Sequence, residues 1–283
     1  MTGAQSHYVE VSGHEVHVTC WGDRSKPATV LWHGLARTGR DFDELARALS
    51  ATRFVLCPDT IGRGLSSWSA DPEAHYRPSY YARLALALLD RMGIADAAWL
   101  GTSMGGQIGM RAAALAPGRL RCLIVNDIGP EVPKAAIDRI VAYAGTPPDF
   151  ATVTAAETWF RSIYTPFGPA GDGFWRRMAE TSLRRRGDGR LTLHYDPCIA
   201  EMLLTHSAEQ TTWDLWEALH LPTHILRGSH SDLLTPEIAA RMRASGPRPG
   251  MTEFPACGHA PSMALPEDIA QVAALFDRLD PGA

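Results

Sequence analysis

The stretch Leu100-Gly101-Thr102-Ser103-Met104-Gly105-Gly106 constrains this chain more than any other. It is a G-x-S-x-G sequence with one further glycine. An apolar run, Ala97-Ala98-Trp99-Leu100, precedes it, and the helix-forming run from Gln107 to Ala114 follows. The first run suits a short buried strand and the second a helix, so Ser103 falls where strand turns into helix. A turn that tight strains its middle residue and leaves no room for a Cβ on either side, which accounts for the flanking glycines. It lifts the Ser103 hydroxyl clear of the sheet and aims the free N–H groups of the new helix at any negative charge that forms beside it. The same residues could make only a glycine-rich loop. A catalytic reading needs a base to take the serine proton, a carboxylate to hold that base and backbone donors for the intermediate.

Upstream, Tyr8 to Val11 and Glu15 to Cys20 flank Ser12-Gly13-His14 and predict an antiparallel hairpin at a sheet edge. Ala28-Thr29-Val30-Leu31-Trp32 is apolar without alternation, as a parallel strand covered on both faces should be. It runs into His33-Gly34-Leu35-Ala36, at the sheet end where ligand loops gather. Leu35 N–H is a candidate oxyanion donor opposite Met104 N–H, and His33 reads as a brace for the loop. Arg37 follows in the same loop and is the candidate for a positive group that meets a carboxylate on the substrate.

Phe42 to Leu49 predicts a crossover helix, and Phe54 to Cys57 another buried strand. In Pro58 to Ser66, Asp59 reads as a brace for a tight loop, Gly62 and Gly64 as turn residues, and Arg63 as a lesser pocket candidate. Tyr80 to Met92 is amphipathic with Gly93 as its stop, and Leu120 to Asn126 is the next apolar strand. Repeated strand, turn and helix predict a mostly parallel, doubly wound α/β sheet with right-handed crossovers.

The period changes after Asp127-Ile128-Gly129-Pro130. From Pro133 to about Leu219 there is no strong strand pattern, and helical pieces are separated by Gly/Pro-rich turns. The expected division is a core domain of residues 1–129 and 220–283 with a helical cap of residues 130–219 inserted in it. The cap is rich in long aromatic side chains, of which Trp159, Tyr164 and Trp213 are candidate walls of an apolar substrate site.

The sheet resumes at Thr223 to Gly228, followed by Ser229-His230-Ser231-Asp232. Asp232 can reach toward Ser103 from a neighbouring strand and is the preferred carboxylate. Asp127, which also follows a parallel strand, competes with it, while Glu237 lies too deep in a helix. After a last strand, Thr252 to Phe254, the loop Pro255 to Pro261 carries His259 beside Gly258, free to swing over the serine. No two histidines show i,i+4 spacing within a predicted helix, so no metal site is expected.

With 27 basic and 31 acidic residues and no long basic block, the chain has little to attract nucleic acid or an anionic membrane surface. Its five cysteines are scattered without ligand spacing, and no apolar run could span a bilayer. A cytoplasmic protein acting on a small molecule is expected, with association into a homodimer left open.

His33-Gly34, Asp59 through Ser66, Gly101 through Gly106, Asp232 in Ser-Asp-Leu-Leu, and Gly258-His259, in this order, make the chain resemble the α/β-hydrolase superfamily over nearly its whole length. The resemblance implies Ser103 as nucleophile, Asp232 as acid, His259 as base, Leu35 and Met104 N–H groups as oxyanion hole, and no cofactor. The lidded subgroup it is most similar to includes carboxylesterases, enol-lactone hydrolases and hydrolases that cleave carbon-carbon bonds in vinylogous diketones. Dehalogenases and epoxide hydrolases of the fold carry Asp where this chain has Ser103. The carbon-carbon enzymes usually have a longer Gly/Pro-rich stretch with an asparagine where this chain has Leu35-Ala36-Arg37-Thr38-Gly39. Hydrolysis of a small carboxylic ester or lactone through an acyl-enzyme is therefore the expected activity. The alternatives are carbon-carbon hydrolysis and a ligand-binding protein without turnover.

Overall fold

A computed structural model describes residues 3–281. The hairpin forms first, β1 (Gln5–Val11) antiparallel to β2 (His14–Trp21). Next come β3 (Ala28–Trp32), α1 (Asp43–Leu49), β4 (Phe54–Pro58), the short α2 (Pro72–His75) and α3 (Pro78–Arg91). Then β5 (Ala97–Thr102) leads through Ser103 into α4 (Met104–Leu115), and β6 (Leu120–Asn126) follows. Every residue of β3 and β4 is buried, as their unbroken apolar runs require for strands covered on both faces.

After β6 the chain makes α5 (Lys134–Ala144), β7 (Asp149–Phe150), α6 (Val153–Ile163), α7 (Asp172–Thr181), β8 (Leu183–Arg185), β9 (Leu191–Leu193), α8 (Cys198–Thr205) and α9 (Trp213–Glu217). It returns as β10 (Thr223–Gly228), α10 (Pro236–Ala244), β11 (Gly250–Phe254) and α11 (Pro266–Leu279). The eight-stranded sheet has the order β1-β2-β4-β3-β5-β6-β10-β11. Pairing is parallel from β4 onward and antiparallel for β2 with both its neighbours.

Each face of the sheet has its own apolar layer. Trp32 and Trp99 stack at 5.2 Å beneath α3 and α4, while Leu31 and Leu100 point the other way, toward α1 and α11. On α3, Tyr81, Leu84, Ala85, Leu88 and Leu89 are buried at helical spacing. The first ten residues of α4 are all buried, which its small Gly and Ala side chains permit.

The segment between β6 and β10 differs from expectation in one respect. It contains a three-stranded sheet, β7-β9-β8, where no strong strand was predicted. Its strands have two or three residues, too few for alternation to register in sequence. This segment meets the rest of the chain through ion pairs of Arg177 with Glu44, Arg77 with Glu209 and Arg139 with Asp232. Among the described residues no helix is long and apolar enough to cross a membrane.

Candidate active site

Ser103 stands between β5 and α4 at φ 53° and ψ −118°, a region an L-residue occupies only under constraint. The constraint comes from both sides. A Cβ on Gly101 would overlap the Gly105 backbone, and one on Gly105 would overlap the Trp32 carbonyl. Ser103 N–H is anchored on Asn126 O at 2.9 Å.

The loop after β11 places His259 Nε2 2.9 Å from Ser103 Oγ. The other ring nitrogen, Nδ1, lies 2.7 Å from Asp127 Oδ2. Asp127, not Asp232, is thus the carboxylate that meets the histidine. Thr102 pairs with Asn126 in the parallel β5–β6 register, so the next residues of the two strands, Ser103 and Asp127, leave the sheet side by side. Asp127 sits at φ 57° and is fully buried. Its Oδ1 accepts from Gly228 N–H at 2.8 Å, and its Oδ2 also accepts from Ser231 Oγ at 2.6 Å. Asp232 turns outward: half exposed, it accepts a two-point bond from Arg139 Nε and Nη2 at 2.8 and 2.9 Å. The loop after β10 therefore braces the acid through Ser231 instead of supplying it.

Leu35 and Met104 both lie beside Ser103, and neither N–H donates to a protein acceptor among the described residues. Met104 opens α4, where N–H groups have no partner within the helix. Two free donors next to the serine are what a developing oxyanion requires. His33 accepts from Thr60 N–H through Nε2 at 2.9 Å and lies 2.6 Å from Gly34 O through Nδ1. Burial lowers its pKa to about 4, so it is neutral and braces the loop. Asp59 likewise braces its surroundings, accepting from Gly39 and Leu65 N–H groups and from His17.

Two chambers meet at Ser103, and Leu35, Ser103 and Ile140 line both. The first carries His259, Arg37, Tyr143, Tyr164, Phe167 and Phe174. The second is walled by Ile137, Ile199, Met202 and Leu233, with Arg63 and Gln107 among them. Of the cap aromatics named from sequence, only Tyr164 lines either chamber. Trp159 packs edge-on against Phe150 and Phe160. Trp213 is fixed away from both chambers, its indole N–H on Glu131 and Arg241 over its ring.

Arg37 does face the first chamber, but its guanidinium fork is occupied: Nε and Nη2 donate to Asp41 at 2.9 and 2.5 Å. Its charge also lies over the rings of Phe160 and Tyr164. Burial alone would depress its pKa, but Asp41 more than restores it, so the side chain stays charged.

A profile of the alpha/beta hydrolase family matches residues 29–274. Among curated proteins, the chain is 38% identical to a 3-hydroxybutyrate-oligomer hydrolase of Cupriavidus necator, over 88% of each sequence. It is 26% identical to a 2-(acetamidomethylene)succinate hydrolase of Mesorhizobium japonicum, over 86% of this chain and 85% of that one. Among solved structures, an alpha/beta hydrolase from Novosphingobium aromaticivorans superposes with a TM-score of 0.86 at 35% identity, covering 98% of this chain and 99% of that one. The eight-stranded sheet with its serine turn and the match along most of the sequence agree, and the chain belongs to the alpha/beta hydrolase family.

Proposed function

We propose that this hydrolase cleaves small carboxylic esters, lactones included, through an acyl-enzyme on Ser103, with His259 as base and Asp127 as the acid that orients it. The observation that carries the reading is the unbroken line of short contacts from Ser103 Oγ to His259 Nε2 at 2.9 Å and from His259 Nδ1 to Asp127 Oδ2 at 2.7 Å. His259 takes the serine proton as Oγ attacks the acyl carbon, and Asp127 stabilises the imidazolium so formed. The tetrahedral oxyanion is met by the N–H groups of Leu35 and Met104. His259 returns the proton to the leaving oxygen, and water repeats the sequence on the acyl-enzyme. The 38% identity to a hydrolase named for 3-hydroxybutyrate oligomers supports aliphatic esters as the substrate class.

The test is Ser103→Ala, which should fold normally and lose roughly three or more orders of magnitude in hydrolysis of short esters. A fluorophosphonate should label Ser103 in the parent and nothing in the variant. Labelling of another residue, or full activity in the variant, would overturn the assignment.

A further inference from the structure

The second chamber is mostly apolar, yet two of its wall residues bring hydrogen-bond donors without acceptors to match. Arg63 is 1% exposed and forms no ion pair among the described residues. Its Nε donates to Leu35 O at 2.9 Å, and its Nη1 donates to Ile61 O at 2.8 Å and to the Tyr81 hydroxyl at 2.6 Å. That leaves Nη2 with only the sulfur of Met104, at 3.8 Å. Gln107, four residues beyond Ser103 on α4 and so on the same face, is 3% exposed, and its Nε2 has no partner among the described residues. The Arg63 charge is met by the faces of Tyr76 and Tyr81 and by no carboxylate among the described residues, so its Nη2, like the Gln107 amide, remains a buried donor that an arriving oxygen would satisfy.

What arrives is set by which half of an ester occupies this chamber. The leaving group must be protonated by His259, and His259 lines the first chamber but not the second. The leaving half therefore occupies the first chamber and the acyl half the second. We propose that Arg63 Nη2 and Gln107 Nε2 bind an acceptor oxygen on the acyl half of the substrate, a few bonds from the scissile carbonyl. This rests on the ester reading above. The shared chemistry is an oxygen that accepts hydrogen bonds, either a neutral hydroxyl or a carboxylate. Arg63 also fixes the loop that carries Leu35 N–H, so the variant chosen is at Gln107, whose amide makes no other contact through Nε2.

The experiment compares kcat/KM for methyl butanoate, methyl 3-hydroxybutanoate and monomethyl succinate by pH-stat, in the parent and in Gln107→Leu. The parent should favour at least one of the oxygen-bearing esters by about tenfold or more over methyl butanoate, and Gln107→Leu should reduce that ratio to within about threefold. Whichever of the two is favoured shows whether the oxygen is neutral or charged. A parent that hydrolyses methyl butanoate as well as both others overturns the acyl-oxygen site and leaves the ester reading standing. So does a preference that survives Gln107→Leu. No turnover of any of the three overturns both. Product inhibition of the parent needs no variant: 3-hydroxybutanoate or succinate should compete more strongly than butanoate, and equal inhibition would count against the site.

Discussion

The Ser231 hydroxyl lies 2.6 Å from Asp127 Oδ2, the same oxygen that meets His259 Nδ1 at 2.7 Å. One loop thus holds the acid in place while its next residue, Asp232, reaches out to Arg139. Asp127→Asn should reduce ester hydrolysis by roughly ten-thousand-fold, because the amide favours the wrong histidine tautomer. Asp232→Asn should cost less than about threefold, since an exposed ion pair contributes little. Steady-state rates on one ester decide it, with circular dichroism as the check on folding, and a reversed order would return the acid role to Asp232.

Arg37→Ala separates two roles for an arginine beside the serine. Its fork is already bound to Asp41 and its charge is stacked on Phe160 and Tyr164, so it ties the loop bearing Leu35 to α6 and the turn after it. Truncation should lower stability by about 1–3 kcal/mol and slow acidic and neutral esters alike. A loss confined to esters with an acidic leaving half, of about tenfold or more, would instead place a substrate carboxylate on the remaining Nη1.

Gly228 ends β10 against the loop that carries His259, and a Cβ there would overlap the Gly258 carbonyl. Gly228→Ala should push that loop away from Ser103. The expected outcome is a loss of activity of about a hundredfold or more, because small displacements of a catalytic group are costly, and a lower melting temperature. A variant with parental kcat would show that the loop relaxes without moving the imidazole.

Asp59 gives a prediction in pH. Burial alone would raise its pKa, but the bond from His17, the nearby His33 and the N–H of Leu65 outweigh it and hold the value below normal. Ionised Asp59 therefore contributes stability above the usual carboxylate range, and that contribution is lost as pH falls through the lowered value. Asp59→Asn should destabilise the fold by about 2–4 kcal/mol at neutral pH. In urea unfolding the gap between parent and variant should narrow as pH drops toward 3. A gap that stays constant would remove the charge from the explanation.

Ser103 and His259 could be read from sequence because each sits in a glycine-marked setting that few other roles demand. Asp127 was visible only as a competitor. What selects it over Asp232 is strand register, Thr102 beside Asn126, and the outward turn of Asp232 toward an arginine 93 positions away in the chain. Neither is a local property of the sequence. The cap aromatics show the same limit. Trp159, Tyr164 and Trp213 are equally aromatic, but helix rotation and partners such as Glu131 decide which ring lines the chamber beside the serine. Arg63 was legible only as a lesser pocket candidate and Gln107 not at all, since what distinguishes them is a donor with no oxygen to accept it, which only the folded chain reveals.

Ile140, on α5, lines both chambers together with Leu35 and Ser103, so the reacting carbon of a bound ester would sit in the doorway between two rooms. Residues on one side of the doorway touch one half of the molecule only. Changes that alter acyl preference and changes that alter alcohol preference should therefore combine additively in free energy, as distant, unshared contacts do. A chain built this way can change either half of its substrate range while keeping the other, and only substitutions at the threshold itself, Ile140 first among them, would shift both together.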